Sequence, residues 1–284
     1  MTRITDIHTH TFPDKIASRA IDTLKGKSHA EAFTDGTVKM LASSMQEAGI
    51  SCSVVQPVAT NPRQVVHVND SSIRLNDSGS GIMSFGCMHP DFDGWAEELS
   101  RIRDAGLKGI KIHPVYQGVP ADDARYIRIL RRCGELGLLV LIHAGWDIGF
   151  PGNDCALPGK IHRALKESGD VRVILAHMGG WRAWRESLET FAEGNAYIDT
   201  AFSLGEFVPN GDGYYASREE CMMLDAEEFV KMVRAFGAER VLFGSDSPWA
   251  SQKDTVRSIE SLPLTDDEKM KIFCGNAAKL LGLQ

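Results

Sequence analysis

Short apolar runs of strand length recur along the chain, separated by longer segments in which apolar residues return every three or four positions. The strand candidates are 4–8 (ITDIH), 52–57 (CSVVQP), 82–88 (IMSFGCM), 108–113 (KGIKIH), 138–143 (LLVLIH), 171–177 (VRVILAH), 196–201 (AYIDTA) and 240–246 (RVLFGSD). Most are apolar on both faces, as parallel strands covered by helices are. Between them, Trp95, Leu99 and Ile102 fall at helical spacing. So do Ile127, Leu130 and Cys133, then Trp184, Leu188 and Phe191, then Phe229, Val233 and Phe236. Gly106, Gly137, Gly169, Gly194 and Gly237 stand where helices must stop before the next strand, the usual place for a C-terminal glycine. Thr265 with Glu268 three residues on is a capping-box pattern, opening a last helix that runs to Leu281.

Strands alternating with helices in this way predict an α/β fold, a (β/α)₈ barrel formed as a single domain over 1–284. A doubly wound open sheet is the runner-up. It is marked by a Gly-rich turn after the first strand, and here that place holds THTFPDK. The segment 203–222 (SLGEFVPNGDGYYASREECM) reads as an active-site loop after the seventh strand.

Composition narrows the class. A chain of 284 residues, 43% hydrophobic and 24% charged, can bury a large core. Its longest apolar runs fall far short of the roughly 20 residues that span a bilayer. The start, Met1 to Asp6, shows no apolar leader region, so the expected location is the cytoplasm. Six scattered cysteines with no CxxC fit a reducing compartment rather than a disulfide framework. A net charge of −7 argues against nucleic acid as a partner, and a small molecule is expected instead.

In a barrel of this kind the catalytic groups stand at the C-terminal ends of the strands. Six of the nine histidines fall there: His8, His10, His89, His113, His143 and His177, together with Asp199 and Asp246. The remaining three, His29, His67 and His162, lie in predicted loops or helices. Side chains alternate along a strand, so His8 and His10 face one way. His143, His177 and Asp246 can join them from other strands. Imidazole nitrogens with one carboxylate oxygen suit a borderline cation such as Zn²⁺, with a position left open for water. Asp246 can also take the proton from that water.

The stretches DIHTH, GIKIHP, LIHAG, ILAHMGG, YIDTAF, LFGSDSPW and NAAKLLG, in this order, resemble the amidohydrolase superfamily. They are most similar to its amidohydrolase-related branch, which includes the aminocarboxymuconate semialdehyde decarboxylase type. The resemblance runs from about residue 4 to 282 and implies a distorted (β/α)₈ barrel. It implies one divalent metal held by His8, His10, His143, His177 and Asp246, and a homodimer as the family-level expectation. Zn²⁺ is preferred, and Mn²⁺ or Fe²⁺ accept the same donors. Binuclear members place a carboxylated lysine where Lys111 stands, so a second metal bridged by Lys111 is the less favoured alternative. The preferred role for Lys111 is a cation that holds an anionic substrate or orients the water.

Around the expected site, Asp6 lies deeper than His8 on the same face and is positioned to orient a ligand histidine. His113 and His89 are each followed by proline. His113, sharing a face with Lys111, is taken as a site residue and His89 as a rigid exit turn. Asp199 is balanced between orienting a ligand and anchoring a loop. Substrate contacts are expected from Arg63, His113, Tyr116, Trp181 and Arg182, with Asn61, Gln117 and Asp147 as further loop candidates. Arg63 or Arg182 would clamp a carboxylate. Trp146, Trp181 and Trp249 would wall a pocket. Ser245 and Ser247 lack the GxSxG elbow of a serine nucleophile.

The leading expectation is a metal-dependent hydrolase of a lactone, ester or amide, with Asp246, Lys111 and His177 catalytic. Its rival is a metal-dependent non-oxidative decarboxylase or hydratase, a lyase, of a small unsaturated or aromatic carboxylic acid. A non-catalytic metal-binding barrel comes last, because a scaffold gains nothing from an acid/base carboxylate beside an open coordination position.

Overall fold

The computed structural model describes residues 3–283; Met1 and Thr2, at the start of the stretch read above for a leader segment, and Gln284 lie outside them. Nine strand segments occur among the described residues: β1 (Ile4–Thr9), β2 (Ile50–Val55), β3 (Ile82–Ser84), β4 (Gly86–Cys87), β5 (Gly109–Ile112), β6 (Leu139–Ile142), β7 (Val173–Leu175), β8 (Tyr197–Asp199) and β9 (Val241–Leu242). No helix among these residues is long and apolar enough to cross a membrane. All six cysteines are free thiols. The chain divides into two compact units that interleave in sequence. Among the described residues one comprises 3–53, 148–151 and 199–283, and the other 54–147 and 152–198.

In the first unit β1 is buried along its whole length. It lies beside β2 on one side. On the other side Ile7 N–H donates to Phe243 O at 2.8 Å, and Thr9 pairs in parallel with Ser247. The chain after β8 joins the same edge, Thr200 N–H donating to Leu242 O at 3.0 Å. Helix Ala226–Phe236 buries Phe229, Val230, Met232, Val233 and Phe236, its start fixed by a capping box between Asp225 and Glu228. Each such side chain, once out of water, contributes about 1.5–3 kcal/mol. The predicted last helix does open with the Thr265–Glu268 box. It is interrupted, however, by a π turn at Lys271–Gly275 before resuming over Asn276–Leu281. The wider turn lets the Ile272 carbonyl accept from Phe243 N–H at 2.9 Å, which ties the helix to the end of β9. Segment 203–222 is more ordered than a plain loop. It contains a helical turn, Arg218–Cys221, and folds back through bridge Glu206–Met222 and, just past its end, Leu204–Leu224.

In the second unit β4 to β8 run parallel in that order. Both β5 and β6 are buried throughout. Helix Ala124–Leu136 covers them with Tyr126, Ile127, Ile129, Leu130 and Cys133, starts on the Asp123 cap and stops at Gly137 with φ 70°. The third strand run, read as 82–88, is broken at Phe85 into β3 and β4. Helix Val65–Asn76 causes the break with two side-chain amides that take over ladder bonds. Asn76 accepts from Ser84 N–H at 2.6 Å and donates to Ser84 O at 3.1 Å. Asn69 does the same for Cys87, at 2.7 and 3.2 Å. The second strand begins two residues earlier than read and stops before Gln56 and Pro57, the proline having no N–H to give a ladder.

Candidate metal centre

In the first unit β1 carries His8 near its end and delivers His10 one residue beyond it. Asp246 comes four residues after β9, held by its N–H to His8 O at 2.8 Å and by its carbonyl accepting from Trp249 N–H at 2.8 Å. Its φ is 67°, a left-handed conformation that a non-glycine residue adopts at a cost of roughly 1–2 kcal/mol. The result is a convergence of two buried side chains and the half-buried His10. His10 Nε2 stands 3.1 Å and His8 Nε2 3.5 Å from Asp246 Oδ1. Two ligands of one ion, each at about 2.0–2.2 Å and roughly 90–110° apart, lie about 2.8–3.6 Å from each other. Both distances fall in that window, and ligand atoms of the three residues lie within 4.8 Å of one another. The donor set therefore fits a divalent cation.

The partners of these groups sharpen the fit. His8 Nδ1 faces Asp199 Oδ2 at 2.8 Å, and both side chains are buried. Below them Asp6 is a hub: its carboxylate accepts from Ser245 Oγ at 2.6 Å, Gln252 Nε2 at 2.8 Å, Ser245 N–H at 3.0 Å and His8 N–H at 3.1 Å. Burial pushes the Asp6 carboxyl up to about 6, against the hydrogen bonds from Gln252, Ser245 and His8 that hold it down. Its donors are neutral, and Asp199 and Asp246 add two more buried carboxyl groups, a setting that would suit a divalent cation. Gln252 escaped the sequence reading. It stands in the first turn of helix Gln252–Glu260, where nothing in its local pattern separates it from a surface residue.

In the second unit the chain after β6 and β7 carries a second cluster. His143 Nδ1 and His177 Nε2 are 3.2 Å apart, inside the same ligand–ligand window. His143 Nε2 faces Trp146 O at 3.2 Å. A carbonyl only accepts, so Nε2 carries the proton and Nδ1 presents its lone pair toward His177. His177 itself sits at φ 61°, followed by Met178 at φ 54°, with its carbonyl accepting from Trp184 Nε1 at 3.0 Å. The backbone around both histidines is stitched: Trp181 N–H donates to Ala144 O, and Trp146 N–H to Trp181 O, each at 2.9 Å. Gly145 makes this possible, because a Cβ there would stand 2.3 Å from Trp181 N.

Beside this pair, His113 stacks on His143 with ring centroids 4.0 Å apart, and on Tyr116 at 3.9 Å. Its Nδ1 accepts from Tyr116 N–H at 3.3 Å, so the neutral ring carries its proton on Nε2. Asp147 Oδ2 lies 3.6 Å from both His113 Nε2 and His143 Nε2. These three residues are close enough to suggest a second cation site. The proton positions argue otherwise: the carboxylate faces two N–H groups, which an ion would have to displace. His89 does what the sequence assigned to it. Its Nδ1 accepts from Asp91 N–H at 3.1 Å, bracing the turn at Pro90, and burial lowers its pKa.

The remaining predicted residues fall as follows. Lys111 is buried on β5, two residues before His113. Trp181 is buried, whereas Arg182 is exposed with its guanidinium 4.7 Å above the Trp181 ring. Arg63 is exposed on the turn Pro62–Gln64, with its N–H capped by Asn61. Gln117 is no substrate contact. Its amide donates to Ala59 O and Met88 O, while its oxygen accepts from His113 N–H and Tyr126 OH, a buried brace under the His113 turn.

With this geometry in hand, the family follows from comparison. A family model described as Amidohydrolase matches residues 5–283. The chain belongs to the amidohydrolase family. No curated protein matches the chain. Among solved structures, this amidohydrolase is similar to an uncharacterized Tim-barrel protein from Bordetella bronchiseptica, at 19% identity over 99% of each chain with a TM-score of 0.73. It is similar to a Pseudomonas putida protein described as a candidate 2-pyrone-4,6-dicarboxylic acid hydrolase: 18% identity, 100% of this chain and 99% of that one, TM-score 0.66. It is also similar to a dihydroxybenzoic acid decarboxylase from Polaromonas sp. JS666 with bound manganese, at 16% identity over 100% and 98% of the chains and a TM-score of 0.68. These likenesses establish the fold, a (β/α)₈ barrel of parallel strands and helices, as the strand rhythm predicts.

Proposed function

We propose that this amidohydrolase is a divalent-metal-dependent hydrolase of a small lactone, ester or amide. The observation that carries the reading is the meeting of His8 Nε2 and His10 Nε2 with Asp246 Oδ1 at 3.5 and 3.1 Å in a buried, carboxylate-rich setting. The proposed ligand set is His8, His10, His143, His177 and Asp246, with one ion per chain. Zn²⁺ remains the preferred metal on donor chemistry, and the manganese bound by the Polaromonas decarboxylase makes Mn²⁺ its main rival. When bound, the ion supplies Lewis acidity and lowers the pKa of water in its field. Asp246 takes the proton of the attacking water at its carboxylate and returns it to the leaving group. His177 belongs to the catalytic group as well as to the ligand set. Lys111 supplies a buried positive charge for an anionic substrate, and His113, Tyr116 and Trp181 contact its body. Arg182, and with less support the exposed Arg63, meets a substrate carboxylate at the rim.

The second reading is non-oxidative decarboxylation of a small carboxylic acid, favoured by the likeness to the dihydroxybenzoic acid decarboxylase. There the bond from ring or alkene carbon to the carboxylate breaks, CO₂ leaves, and Asp246 delivers a proton to the carbon. The deciding experiment incubates metal-loaded protein with a panel of lactones, esters, amides and aromatic carboxylic acids. Ring opening or ester cleavage supports the hydrolase, CO₂ release replaces it with the lyase, and tight metal binding with no turnover on any panel member overturns both. Two ions per chain would overturn the single-metal assignment and return Lys111 to the bridging role.

A further inference from the structure

We infer that Asp199 is a positioning residue: it fixes His8 as the Nδ1–H tautomer and thereby decides that Nε2 is the nitrogen that meets the cation. The inference deepens the metal reading above and rests on it for its functional consequence. Asp199 closes β8, and its Oδ2 lies 2.8 Å from His8 Nδ1, with both side chains essentially inaccessible to water. A carboxylate oxygen accepts and never donates, so the shared proton resides on Nδ1. The other imidazole nitrogen, Nε2, lies 3.5 Å from Asp246 Oδ1 and is the one left to meet a cation beside that carboxylate.

Asp199 is itself held for this task. Its Oδ1 accepts from Ala201 N–H at 3.1 Å, so each of its oxygens is engaged, which suits an orienting group better than a ligand. The strand end that carries it is locked to the chain after β9. Thr200 Oγ1 donates to Gly244 O and accepts from Gly244 N–H, both at 2.9 Å. Gly244 in turn leaves room for the imidazole, since a Cβ there would stand 3.0 Å from His8 Cβ and 3.3 Å from Ala201 Cβ. Backbone and carboxylate together leave the ring one orientation. Partners of this kind raise the basicity of a ligand imidazole, and losing one typically costs 10–100-fold in metal affinity.

The test uses full-length protein labelled with ¹⁵N-histidine, the His8 signals being those lost in His8→Gln. In metal-free wild type, Nδ1 is expected to be protonated. Asp199→Ala should lose that preference, and competition with a chelator should show Mn²⁺ bound about 10–100-fold more weakly at unchanged stoichiometry. Asp199→Asn guards against a misfolded alanine variant. An amide can accept or donate, so His8 should then populate both tautomers and bind Mn²⁺ with intermediate affinity. A wild-type His8 protonated at Nε2 alone overturns the inference. So do variants that keep the single Nδ1–H tautomer and full affinity. If wild type takes up no Mn²⁺ or Zn²⁺, the proposed function fails, while the ring signals still decide the role of Asp199.

Discussion

The two units place their metal-competent nitrogens by different means. In the first, side-chain hydrogen bonds do the placing: Asp199 holds His8, and Asp6 gathers Ser245, Gln252 and the His8 backbone at 2.6–3.1 Å. In the second, the acidic partner stands off, Asp147 being 3.6 Å from both imidazoles, and the backbone does the work through the Ala144–Trp181–Trp146 stitches around Gly145. The first unit is rich in carboxylate and the second in imidazole. A side-chain network can be undone by one polar substitution, whereas a backbone strap yields only to a change that alters the path of the chain.

The largest expected effect comes from Asp246→Asn. Losing the proton acceptor while keeping the shape should lower kcat by about 10²–10⁴-fold on whichever substrate the panel identifies. A rate within a few-fold of wild type would remove the acid/base role and with it the chemical side of the contrast. Next comes Asp6→Ala in the first unit. It strands the Ser245 hydroxyl, the Gln252 amide and two backbone N–H groups, and at about 1–3 kcal/mol for the worst-placed of these should cost roughly 3–4 kcal/mol in all. Urea unfolding measures it, and a loss under about 1 kcal/mol would mean the hub is not what supports His8.

Gly145→Ala is the matching probe of the second unit. Its φ of 88° and the approach of Trp181 N to 2.3 Å from a new Cβ leave no room without moving the loop. A loss of about 2–3 kcal/mol in the same unfolding assay is expected, together with a changed environment for Trp181 in fluorescence. The smallest effect belongs to Asp147→Asn. The substitution keeps the shape of the side chain and gives up its charge beside His113 and His143, so stability should move by less than about 1 kcal/mol. If instead it rivals Asp6→Ala, the two clusters are built alike after all.

The strand rhythm was legible because buried parallel strands leave a continuous apolar trace, as 138–143 does. The histidines at strand ends were legible because nothing in packing asks for imidazole there. Strand breaks were harder. The split at Phe85 depends on Asn69 and Asn76 from a neighbouring helix, and no local pattern in IMSFGCM announces it. The π turn at Lys271–Gly275 hides inside a regular helical pattern, since its cause is the Phe243 N–H some thirty residues away. Gln117 was misread because a polar residue after a strand suggests substrate until its four partners are seen. Gln252 was missed for the converse reason: a glutamine beginning a helix looks solvent-facing until Asp6 and Ser53 are found beneath it.

The interleaving of the units sets an order of assembly on the ribosome. Residues 54–198 contain the whole of the second unit, only 148–151 among them belonging to the first, so it can close while synthesis continues. β1, with His8 and His10, is made first yet must wait for β9 and Asp246, which come from the last part of the chain. At about 5–20 residues per second that delay is on the order of 10–50 s. During it β1 and the two imidazoles at its end stand without β9 beside them, exposed to chaperones and to stray metal before Asp199 and Asp246 exist.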